Sequence, residues 1–102
     1  MRLLRWEEGR QGTGYRKLRI AGGGFWDLYL LDYPPGSCVP KHSDRIPGRT
    51  HIRCNVRLLG EDAFAGRASF RLGRLVVFRS DRPHAVRTVR RRRVVLSLGF
   101  AW

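Results

Sequence analysis

A chain of 102 residues with 21 basic and 8 acidic side chains, a net charge of +13, has room for one domain and a thin core, and a second domain does not fit. An apolar fraction of 42% with eleven aromatic residues excludes a disordered tail despite the charge. The lack of any apolar run of about 18 residues excludes a membrane-spanning helix.

Residues 1–25 carry the weakest pattern. "MRLLRWEEGRQGTGYRKL" has acidic residues and no apolar stretch long enough for a signal peptide, so the expected location is cytoplasmic. "RKLRI" at 16–20 suits an edge strand, and Leu3, Leu4 and Trp6 are candidates to pack on the body. The domain reading is an N-terminal extension over 1–25 and a barrel over 26–102.

From residue 26 on, turn signals cut the chain into eight short strand candidates, most rich in Val, Leu, Phe and Tyr and alternating with period two. "WDLYLLDY" (26–33) ends at Pro34-Pro35-Gly36, and "SCVPKHSD" (37–44) leads to Pro47-Gly48. "HIRCNVRLLG" (51–60) sets Ile52, Cys54, Val56 and Leu58 against His51, Arg53, Asn55 and Arg57. "AFAG", "ASFRLG", "RLVVFRS", "PHAVRTV" and "RVVLSLGFAW" follow. Short strands at this spacing predict an all-β sandwich, barrel or jelly roll.

His42 and Asp44 share a strand face, because side chains at i and i+2 point the same way. They can supply two ligands to a metal, and a third has to come from elsewhere, with His51 and His84 as the other histidines. Two His and one carboxylate form the facial set of non-haem Fe(II) oxygenases. In an eight-stranded jelly roll the second and seventh strands pair, which would bring His84 to His42 and Asp44. Cys38 and Cys54 form no C-x-x-C pattern and read as small buried apolar residues.

The order of these parts resembles the Fe(II)/2-oxoglutarate-dependent oxygenases. It is closest to prolyl hydroxylases and, through "HIRCNVRL" and "VVFRSDRPHAV", to aspartyl/asparaginyl β-hydroxylases. The resemblance implies a double-stranded β-helix (a cupin-like jelly roll) in minimal form, with His42, Asp44 and His84 holding Fe(II). It further implies 2-oxoglutarate as co-substrate, with Arg93 on its distal carboxylate and Tyr33, Arg53 and Asn55 lining its pocket. Arg93 stands one residue closer to His84 than is usual in the family. The expected activity is hydroxylation of a protein or peptide side chain, or of another acidic substrate. Two rivals stand beside it: a non-catalytic cupin-like module binding a metal or small ligand, and a basic nucleic-acid-binding β-barrel.

The charge has two readings. A pI near 11.6 suits nucleic acid, a ribosomal site or an acidic partner. However, 19 of the 21 basic residues are Arg, a skew that GC-rich coding produces by itself. Parity makes one further demand. If Tyr33 and Arg93 face inward, then Trp26, Leu28, Leu30, Val94, Leu96, Leu98 and Phe100 face outward. Such a patch calls for cover from residues 1–25 or from a second copy in a homodimer.

Overall fold

The computed structural model describes residues 6–8, 14–44 and 47–102. Leu3 and Leu4 lie outside them. Among the described residues ten strands form: β1 (Trp6–Glu8), β2 (Arg16–Gly22), β3 (Trp26–Tyr33), β4 (Val39–His42), β5 (His51–Leu59), β6 (Phe64–Gly66), β7 (Phe70–Leu72), β8 (Leu75–Arg79), β9 (His84–Val86) and β10 (Arg93–Ala101). All eight strands expected after residue 25 are present, and the "RKLRI" segment is the core of β2. No helix of the described residues is long and apolar enough to cross a membrane.

The strands make two antiparallel sheets. The large one runs β1-β2-β3-β10-β5-β8-β7 and the small one β4-β9-β6. The second and seventh strand candidates pair as β4 and β9, and the first and last as β3 and β10, as a jelly roll requires. Among the described residues hydrogen bonding does not close the sheets into a barrel. The short β7 pairs with β8 at the edge of the large sheet and adds nothing to the small one.

Local chemistry explains the corner that leads to the site. After β3 the amide of Ser37 donates to the Pro34 carbonyl at 3.1 Å, and Gly36 sits at φ 88°. This is a turn with Pro at its second position and, at its third, a residue that must take positive φ. The chain thereby leaves the large sheet at Tyr33 and enters the small one at Val39.

Alternation then sorts the last strand. Arg93, Val95, Ser97, Gly99 and Ala101 are buried, and the residues between them are half-buried or exposed. Tyr33, Val39, Ala63, Val89 and Val95 form one buried cluster; Phe64, Val76 and Phe78 form another. Cys38 and Cys54 are half-buried free thiols, less enclosed than their sequence context suggests.

The N-terminal strands extend the large sheet edgewise. β2 pairs with β3 and β1 with β2, so among the described residues the extension widens the outer apolar face and does not cover it.

Candidate metal centre

His42 ends β4, and its ladder partner on β9 is His84. The two rings lie 4.4 Å apart at 57°. Asp44 follows two residues after His42, where its amide donates to the Ser80 carbonyl at 2.7 Å. Its Oδ2 stands 3.5 Å from His42 Nε2 and 3.7 Å from His84 Nε2, and the three ligand atoms lie within 4.8 Å of one another.

The ring orientations fit a metal. Nδ1 of His42 donates to the Pro40 carbonyl at 2.7 Å, and Nδ1 of His84 to the Arg82 carbonyl at 2.8 Å. A carbonyl oxygen only accepts, so each Nδ1 carries the proton and each Nε2 presents its lone pair. Three donors each about 2.1 Å from one ion would stand ~3–3.5 Å apart, close to the spacing here. Burial lowers the pKa of His84 below the ordinary histidine value, with the neighbouring His42 adding to the shift, and this favours the neutral ring that a metal needs.

His51 lies outside the cluster but supports it. It is buried at the start of β5, with Nδ1 3.3 Å from the Asp44 carbonyl. Its own carbonyl accepts the Ser80 amide at 3.0 Å. His51 and Ser80 together fix the backbone that presents Asp44.

The cluster opens into a cavity of about 140 Å³ between the sheets. A polar strip crosses the large sheet beneath it. Arg53 Nε donates to Ser97 Oγ at 2.8 Å, Ser97 Oγ donates to Asn55 Oδ1 at 2.6 Å, and the Arg53 guanidinium pairs with Asp27. Tyr33, Arg53 and Asn55, the residues expected in the co-substrate pocket, all line this cavity. Tyr33 is buried and stacks on Tyr15 at 5.1 Å. Burial pushes its phenol up to about 12, against the lowering effect of Arg93.

Arg93 is placed differently. It points inward and is buried, with its guanidinium carbon 4.9 Å from the centre of the Tyr33 ring. It lines a second, much smaller cavity with Arg57, Arg74 and Asp62, and not the one that holds the ligand cluster. Among the described residues, its Nε and that of Arg57 are buried without a hydrogen-bond partner.

Sequence reasoning missed Tyr15, Lys17 and Tyr29, which line the metal cavity. Tyr15 and Lys17 come from the segment with the weakest pattern. Lys17 is the signal that could have been read: on a strand starting at Arg16, it has the parity of Tyr29 and Leu31 across the ladder.

No protein-family model and no curated protein matches this chain. Solved structures do. A chain of the Rhodobacter sphaeroides SigE complex with the anti-sigma ChrR superposes with a TM-score of 0.62 at 24% identity, over 94% of this chain and 48% of that one. An RmlC-like cupin protein from Desulfovibrio desulfuricans superposes with a TM-score of 0.57 at 20% identity, over 94% of this chain and 81% of that one. This chain thus spans about half the length of the first. The fold is cupin-like, with a clustered His/Asp/His triad consistent with a metal site.

Proposed function

We propose that this chain is a cupin-like binding module that holds one divalent metal ion through His42, Asp44 and His84 and admits a small acidic ligand beside it. The observation that carries the reading is the pair of Nδ1-to-carbonyl bonds, which aim two Nε2 lone pairs at the Asp44 carboxylate. Two imidazoles and a carboxylate suit Fe, Zn, Ni or Mn. Lys17 supports an acidic ligand, because it lines the cavity and, among the described residues, pairs with no carboxylate.

The Fe(II)/2-oxoglutarate-dependent dioxygenase is the second reading, and the donor set favours it. When bound, Fe(II) would supply oxidation of a co-substrate and a substrate. For this chain's own residues the reading requires a cation at the far end of the co-substrate. Arg93, assigned by the resemblance, opens to the other cavity, whereas Lys17 and Arg53 face the right one. Arg53 is already engaged by Asp27. These placements weigh toward binding without turnover.

The test is anaerobic loading with Fe(II), Zn(II) and Mn(II), followed by assay for succinate from 2-oxoglutarate in air. One bound ion per chain and no succinate is the expected result. Succinate above the protein-free rate would move the assignment to the second reading. No bound ion in any loading would remove both.

A further inference from the structure

The outer face of the large sheet carries an unbroken apolar field. Following the ladder, Trp6, Leu18, Leu30, Leu96, Val56, Leu75 and Leu72 stand side by side across all seven strands. The next rank is Ala21, Leu28, Leu98, Cys54, Val77 and Phe70. A third holds Trp26, Phe100 and Ile52 and ends at Arg79, which pairs with Asp81. Apart from Arg79 at the end of the third rank, none of these positions is charged, in a chain of net charge +13. Many are open to solvent: Trp6 is 42% exposed, Trp26 43%, Phe70 52%, Leu72 67% and Phe100 43%. Among the described residues no strand lies over them, since β1 and β2 belong to the same sheet.

We propose that this face is where two copies of the chain pack against each other. Sixteen apolar positions, each covering about 4.8 by 7 Å, make ~540 Å² in projection. That is the upper end of what a monomer leaves wet. With the corrugation of its side chains it approaches the ~800 Å² per partner of a standard stable interface. An occupant must match this width without offering charge, and the one surface described here with those properties is the same face of a second copy. Two twisted sheets stack at ~10 Å in an aligned packing, and a two-fold axis lets one patch serve both sides. Arg16, Arg92 and Asp32 lie at one end of the field, where the Asp32 carboxylate accepts from both arginines, so this end keeps its own compensation at the rim.

The charge gives the dimer a distinctive salt dependence. Two chains of like charge repel through their solvated surfaces while an uncharged face attracts them, so association tightens as salt rises. Cys54, in the second rank beside the central strand, is a reporter within the face; Cys38, next to β4 of the small sheet, is the reference.

The experiment is sedimentation equilibrium of the full chain over a range of concentration and salt, with alkylation rates of both thiols at the same concentrations. A dimer that tightens with salt and protects Cys54 but not Cys38 as concentration rises is expected. Val56→Lys and Phe100→Lys, at positions 38% and 43% exposed, should each weaken it by at least about a hundredfold while circular dichroism stays that of the wild type. If either variant fails to fold, the salt and thiol measurements on the wild type still decide. A monomer at all concentrations, a dimer loosened by salt, a dimer indifferent to both substitutions, or Cys54 equally protected at every dilution would each overturn the proposal. The last would assign the cover to the chain itself.

Discussion

Arg53 on β5 reaches across Gly99 of β10 to pair with Asp27 on β3. A Cβ at Gly99 would stand 2.6 Å from Arg53 Nη1 and 2.8 Å from its Cζ. The bare backbone at Gly99 is therefore what lets a side chain from one strand span its neighbour, and it ties down three strands beneath the metal cavity.

Gly99→Ala should displace the guanidinium and not the backbone, because the obstructed atoms end a flexible side chain. The expected cost is ~1 kcal/mol, about that of a partly exposed charge-assisted contact. Chemical denaturation of Gly99→Ala, Asp27→Asn and the double variant checks it. In the Asp27→Asn background the glycine substitution should cost clearly less, and equal costs would show that the pair is not what Gly99 protects.

Removing any one of His42, Asp44 or His84 by alanine substitution should weaken metal binding by more than about a hundredfold. His51→Ala should weaken it by about tenfold or less, as expected of a residue that orients a ligand from outside. Calorimetric titration of the four variants with Zn(II) separates the roles. A His84 variant with wild-type affinity would dissolve the cluster.

The depressed pKa of His84 has a consequence for apo-protein stability. Between the lowered folded value and the ordinary unfolded value of about 6.5, the unfolded chain holds a proton that the folded chain does not. Stability therefore rises with pH through that window and is lost as pH falls below about 6.5. Burial is the leading cause. Denaturant midpoints of metal-free protein from pH 7.5 to 5.5 should fall, and His84→Gln should flatten the slope. An unchanged slope would place the titrating group elsewhere.

Asp32 shows the opposite chemistry. Burial works to raise its pKa, but hydrogen bonds from Arg92 and Arg16 outweigh it and hold the carboxyl below the ordinary value. Its contribution is present above the unfolded value and lost as pH falls through the folded one. Asp32→Asn should cost ~2 kcal/mol at neutral pH, and the gap from wild type should narrow in acid. A gap constant from pH 6 to 2.5 would refute the ionic origin.

Among the described residues five of the 21 basic side chains, Arg16, Arg53, Arg71, Arg79 and Arg92, have an Asp partner. If the arginine skew is compositional, a duplex or hairpin RNA should bind only weakly, with Kd above ~0.1 mM at physiological salt, poorer than typical non-specific binding. Fluorescence anisotropy measures it, and micromolar binding that falls steeply with salt would restore the nucleic-acid reading.

What the sequence determined by itself was local. Period-two alternation and the Pro and Gly breaks delimit eight strands after residue 25, and parity turns Arg93, Val95, Ser97 and Gly99 inward. The i, i+2 spacing joins His42 to Asp44. These follow from the geometry of an extended backbone, which every short segment carries with it. What the tertiary structure decided depended on pairing between distant segments. It seated His84 opposite His42, brought Lys17 and Tyr15 to the cavity wall from the least patterned segment, and carried β7 away from the small sheet. It also sent Arg93 to a cavity of its own, although its parity was legible. Parity fixes which side of a sheet a residue occupies, but not which of two cavities on that side it lines. That choice belongs to Asp62 and Phe64, residues from outside the large sheet that line the smaller cavity with Arg93, and they reach it only when the small sheet packs on the large one.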